Sequence, residues 1–188
     1  MNIFSNNCIG GFLLKELGER YNHPLYWTGM KVDDFITFME KYETINLGNY
    51  TKIKYSESKF KNTFVCDKGE KRFDMPCIIL NEPKLEIRFG HESFETFEEV
   101  YKKRLKRHNK YHKNIFILST WCVDYNDELL YRFCSDTIHP KILVTDNKKF
   151  DKSMNNKKLL IINDDSFIKD VIHNNLFIIK KFIHFGIY

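Results

Sequence analysis

The chain is expected to be an α/β protein, a mixed, largely parallel sheet with helices on both faces, in a single domain over residues 1–188. Three observations lead there. Short apolar runs bounded by turn residues recur at 1–5, 77–80, 85–89, 115–119, 141–145 and 159–162. Through the second half these runs alternate with segments whose apolar residues repeat at helical spacing. A chain of 188 residues that is 43% hydrophobic and 15% aromatic can also bury a core without metal or disulfide, which excludes a disordered or collagen-like protein.

Each element has its own reason. Residues 1–5 are apolar and end in polar side chains, a first strand. Residues 6–11 are a turn rich in Asn and Gly, after which Phe12, Leu13, Leu14 and Leu17 mark a helix that Gly18 stops. Residues 22–30 are irregular and aromatic, with His23-Pro24 and Tyr26-Trp27. Phe35, Ile36, Phe38, Met39 and Tyr42 share a face of a helix over 32–45, with Asp33 or Asp34 at its start. Residues 50–74 are polar and weakly alternating, a strand or hairpin with a mobile loop near 67–71. Asn81-Glu82-Pro83-Lys84 is the turn between consecutive strands. Residues 93–113 read as a helix capped by Ser93, with acids early and bases late, as the helix dipole favours. A strand at 115–119, a short helix at 126–134, strands at 141–145 and 159–162 and a mostly helical end at 167–185 complete the chain. Within that end, 176–179 has an extended alternative.

The net charge of +5 is too small to announce a nucleic-acid partner, and the basic helix face lacks interleaved aromatics, so no nucleic acid is expected. Cys8, Cys66, Cys77, Cys122 and Cys134 are odd in number and never form Cys-x-x-Cys, which predicts five reduced thiols and a cytoplasmic location. The N-terminus has no basic n-region and meets Lys15 and Glu16 too early for a signal peptide. No run of about 18 apolar residues exists. The tail LFIIKKFIHFGIY, broken by Lys180 and Lys181, reads as a packed element that could alternatively touch a membrane surface or a partner enzyme. No metal-ligand spacing occurs among the histidines, and no cofactor is identified.

Three strand-to-helix junctions carry candidate chemistry. In the first, Ser5, Asn6, Asn7, Gly10 and Gly11 offer polar groups and close backbone approach to a ligand, while Cys8 at a helix N-terminus is a candidate nucleophile. The bland alternative is a capped turn with Cys8 as a small hydrophobe. This loop is expected to leave a central strand and face a concave pocket. In the second, Arg88 and His91 end a strand, with His91 a candidate acid or base; the alternative is that Gly90-His91-Glu92 is merely a turn. In the third, Ser119, Thr120 and Asp124 accompany Trp121, groups suited to a sugar or nucleoside; Asp124 is equally a helix cap. On a wheel of roughly 100° per residue, Arg104 borders the apolar face of Phe97, Tyr101 and His108. A guanidinium there needs a carboxylate, carbonyls or an anionic ligand near the first loop or His91.

The opening SNNCIGG, followed by LGERYNHPLYWTGM and VDDFITFMEKY, resembles a bacterial family of unknown function associated with exopolysaccharide biosynthesis, domain of unknown function 1919. Ser5 to Gly11, His91 and Tyr101 to Arg107 match its recurring segments, with Tyr101 where the family has tryptophan. After residues 115–119 the chain has Thr120-Trp121-Cys122 where relatives are more acidic. The resemblance implies sugar or polymer metabolism. The resulting expectation is a transferase acting on a sugar or sugar-phosphate donor, with Cys8 and His91 in the chemistry and Arg104 neutralising an anion. The alternative is a non-catalytic module that binds an anionic sugar or a partner.

Overall fold

The computed structural model describes residues 1–20, 23–61, 75–108, 112–121, 123–164 and 166–185. The expected loop near 67–71, Cys66 and Cys122 lie outside the described residues.

The α/β class is as expected, but parallel and antiparallel strands separate into two sheets. The first is wholly parallel, in the order β1 (Asn2–Ser5), β6 (Asn114–Ser119), β7 (Lys141–Thr145), β8 (Leu159–Asn163). The second is antiparallel, in the order β2 (Thr28–Gly29), β5 (Lys84–Phe89), β4 (Pro76–Asn81), β3 (Tyr50–Lys54). The division follows from the connections. Glu82-Pro83 is too short to do anything but turn the chain back, whereas β6 and β7 are joined through α4 (Asp127–Ser135), long enough for a parallel crossover. β1 is an edge strand of its sheet, not the central strand expected.

Sides of the parallel sheet are set by strand alternation. Ile3, Ile115, Ile117 and Ile142 face α1 (Ile9–Glu16) and α5 (Ile168–Phe185), where they meet Leu13, Val171 and Ile179. Phe4, Phe116, Leu118 and Leu143 face the other way, onto α2 (Val32–Lys41) and α4. That second core continues through Ile78, Ile87 and Phe89 of the antiparallel sheet to Phe97 and Tyr101 of α3 (Phe97–Arg107), so one apolar cluster joins the two sheets. Phe116 is its pivot, with ring centroids 5.4 Å from Phe4 and 5.6 Å from Tyr42.

Helix ends show where local signals suffice. Gly18, at φ 67°, lets the chain turn out of α1, its N–H donating to the Lys15 carbonyl. Asn126 caps α4, its side chain accepting from Leu129 N at 2.9 Å. α3 is shorter than expected at both ends. Ser93 spends its hydroxyl on a local turn, accepting from Glu95 N at 3.3 Å, and His108 is already extended. The 167–185 segment is helical throughout 168–185, including residues 176–179.

Candidate functional site

Cys8 and His91 lie 83 positions apart in sequence and meet in space. The Cys8 Sγ is 3.7 Å from His91 Nε2. A short chain of backbone contacts brings them together. The Met30 N–H donates to the Asn6 carbonyl at 2.8 Å, its neighbour Gly29 pairs with Arg88 across β2 and β5, and His91 follows β5 directly. Cys8 is half-buried at the start of α1, where its carbonyl accepts from Gly11 N and Phe12 N, and His91 is exposed. A thiol at a helix N-terminus beside an imidazole is the arrangement that favours thiolate formation and nucleophilic attack.

The rest of the loop is spent largely on itself. Ser5 Oγ accepts from Gly10 N at 3.1 Å and donates to the Asn7 carbonyl at 2.5 Å. Asn6 is buried, its Nδ2 donating to the Ser119 carbonyl at 2.9 Å and its Oδ1 accepting from Ser119 N at 2.8 Å. This clamp ties the end of β1 to the end of β6 and accounts for both ends of the amide. Asn7 Oδ1 accepts from Ile9 N at 3.1 Å, and its Nδ2 is buried without a hydrogen-bond partner among the described residues. Gly10 and Gly11 were expected to let a ligand approach; both are instead packed by protein. A Cβ at Gly10 would sit 2.6 Å from Ser5 Oγ, and one at Gly11 would sit 2.6 Å from the Trp27 ring.

Trp27 is the main residue that sequence reasoning missed. Its φ of 55° places a bulky side chain in the left-handed region, a strain of about 1–3 kcal/mol that surrounding contacts must hold. Those contacts are the Gly11 backbone, an edge-on Phe12 at 4.8 Å and the His91 ring at 5.0 Å. Trp27 therefore packs the imidazole against the start of α1. No residue pattern marks it, because Gly11 and Gly29 become informative only once their neighbours are known.

Two arginines border this pair. Arg88 is buried, with its guanidinium 2.7 Å from where a Cβ on Gly29 would stand and 5.6 Å over the Phe60 ring. Burial pulls its pKa down, while the side chains of Cys8, Tyr55 and Cys77 pull the other way. Arg104 is buried as the wheel predicted. Its Nη2 donates to Glu92 Oε1 at 2.5 Å and its guanidinium lies 4.0 Å over the Tyr26 ring, next in sequence to His91 and Trp27 respectively. Glu92 is the partner that no sequence pattern marked.

Beyond the parallel strands lies a cleft of about 160 Å³, lined on its polar side by Ser119, Thr120, Trp121, Asp146, Asp164 and Ser166. Ile9, the first residue of α1, also lines it. Ser119 Oγ accepts from Trp121 N, and Thr120 Oγ1 donates to Thr145 Oγ1 at 3.2 Å. Asp124 is exposed and is not a lining residue; Asp146 and Asp164 supply the carboxylates instead. Cys8, His91, Arg88 and the Arg104–Glu92 pair thus cluster, Ser119 is joined to them through Asn6, and Asp124 stands apart. Among the described residues no group of three His, Cys, Asp or Glu side chains is placed to hold a metal, and no helix is long and apolar enough to cross a membrane.

Comparison with curated proteins finds no match. The model of one family, described as Domain of unknown function (DUF1919), matches residues 1–184 of the 188. The SNNCIGG loop that carries the Cys8–His91 contact lies within that match, and the chain belongs to the DUF1919 family.

Proposed function

We propose that this chain is a transferase of bacterial cell-surface polysaccharide biosynthesis that acts on a sugar or sugar-phosphate donor in the cytoplasm. The observation that carries the reading is the Cys8–His91 contact of 3.7 Å at the start of α1, close to the Arg88 guanidinium. In the first step His91 takes the thiol proton as Cys8 Sγ bonds to the anomeric carbon. The bond from that carbon to the phosphate oxygen breaks, its electron pair leaves on the phosphate, and the phosphate takes the proton from His91. An acceptor hydroxyl then attacks the same carbon, its proton passes to His91, and the carbon–sulfur pair returns to Cys8 as thiolate. Arg88 offsets the phosphate charge. Free thiols at Cys8, Cys77 and Cys134 are compatible with a reducing compartment.

The test is alkylation by iodoacetamide, mapped by peptide mass. Cys8 is expected to react well before Cys77 and Cys134, whose thiols burial pushes up to about 11. His91→Ala should slow Cys8 alkylation several-fold, and a nucleotide sugar should protect Cys8 and raise the melting temperature. Equal rates at Cys8 and Cys77, or no effect of His91→Ala, would remove the dyad.

A second reading, a non-catalytic module for an anionic sugar or a partner enzyme, draws on a different observation. Ser5 and Asn6 direct their polar atoms to the protein's own backbone rather than outward. Cys8→Ser separates the two: a binding module keeps its full ligand-induced thermal shift, whereas the transferase loses covalent labelling by the donor.

A further inference from the structure

The outward face of α5 plays no part in the site above. The inward face is committed to the core through Val171, Ile172, Ile179, Phe182 and Ile183. Outward, Phe177 is 73% and Phe185 72% exposed, and Phe167 just before the helix is 43% exposed, with one edge against the Trp121 ring at 5.2 Å. Five large hydrophobic side chains are exposed among the described residues, so three of them fall on or beside this one element. Solvent does not favour such a concentration.

The charges around these rings have one dominant sign. At about 100° per residue, Lys169, Lys180 and Lys181 all project within about 80° of Phe177, as do the imidazoles of His173 and His184. The Lys181 Nζ lies 4.8 Å over the Phe177 ring. Lys113 adds a further cation at the far end, its Nζ donating to the Ile183 carbonyl. Asp170, exposed and about 20° from Phe177 on the same wheel, is the sole carboxylate in the α5 sequence, against three lysines. Eighteen residues at a 1.5 Å rise make a rod of about 27 Å, with an aromatic ring near its start, its middle and its end.

We infer that α5 lies flat on an anionic lipid surface, its exposed phenylalanines entering the headgroup boundary and its lysines meeting lipid phosphates and carboxylates. Charge complementarity selects this occupant: lysine stems lie along apolar surface while their heads reach anions, and aromatic rings favour the interface. The helix is not long and apolar enough to cross a bilayer, so contact is peripheral. The inference does not depend on the Cys8–His91 reading.

Sedimentation of the full chain with vesicles tests it. Binding is expected to vesicles containing about one-third phosphatidylserine, to be weak with phosphatidylcholine alone, and to fade with added salt. Each lysine near such a surface is worth about fivefold in partitioning, so Lys180→Glu with Lys181→Glu should reduce binding by at least about 25-fold. Phe177→Ser should reduce it further. Both variants change exposed side chains, and unaltered melting curves establish that they fold. No sedimentation, or equal binding to both vesicle types, overturns the inference. A concentration-dependent dimer abolished by Phe177→Ser overturns it as well, because the face would then belong to a second copy.

Discussion

Arg88 and Arg104 are buried to nearly the same degree, at 8% and 6% exposure, yet they stand among different neighbours. Arg104 is answered by a carboxylate and an aromatic face, Glu92 and Tyr26, while its Nη1 is buried without a hydrogen-bond partner among the described residues. Arg88 faces the side chains of Cys8, Tyr55 and Cys77 and lies over the Phe60 ring. On the proposed reading, its charge acts on the thiol at the candidate site. Similar burial of the same residue type thus comes with different neighbours, and on the proposed reading the neighbours decide what each charge does.

The largest effect should come from the structural member. Arg104→Ala leaves Glu92 partly buried beside an empty space, and is expected to cost about 2–5 kcal/mol in urea unfolding, as removing one member of a buried pair does. A loss below about 1 kcal/mol would mean that Arg104 is not structural.

The surroundings of Arg104 also predict acid sensitivity. His23 is fully buried, its ring centroid 4.4 Å from that of Phe4, and burial lowers its pKa to about 3, with His108 and Arg104 adding to the effect. Above the ordinary histidine value of 6.5 neither state takes the proton. Between 6.5 and about 3 the unfolded chain binds a proton that the folded chain refuses, so stability falls as the pH falls. At about 1.4 kcal/mol per unit, the loss from pH 6.5 to 5 is about 2 kcal/mol. Unfolding at a series of pH values should show that slope in the wild type and a shallower one in His23→Phe; identical slopes would assign the acid sensitivity elsewhere.

The smallest stability effect should come from Arg88. Arg88→Met removes the charge but keeps much of the side-chain volume and the contact with the Phe60 ring, so the expected change is smaller than for Arg104→Ala. Cys8 alkylation should nevertheless slow a few-fold. A variant that unfolds, or that alkylates at the wild-type rate, would erase the contrast between the two arginines.

Much of the fold was legible because it rests on local chemistry. The apolar run at 141–145 is β7 residue for residue, Asn126 caps α4 and Gly18 ends α1. The wheel of α3 also placed Arg104 beside the apolar sector, which alone required a partner close by. The candidate site was legible only in its residue types. Ser5, Asn6, Gly10 and Gly11 have the composition of a ligand loop, and the same composition serves equally well for a loop that bonds to itself and to Ser119.

The sequence by itself determined most of the strands and helices, the apolar faces of α2 and α3 and the need to pair a buried guanidinium, since these follow from spacing along one segment; β2 fell in a stretch that reads as irregular. Tertiary structure alone decided the rest. Edge position for β1 depends on which strands its neighbours choose, and separation of the antiparallel strands into a second sheet depends on where that hairpin packs. The approach of Cys8 to His91 depends on the Met30–Asn6 hydrogen bond and the Gly29–Arg88 pairing, contacts between segments far apart in the chain. Periodicity describes which way a side chain points from its own element. It carries no information about which distant backbone will arrive on that side, and the chemistry of this site is made by that arrival.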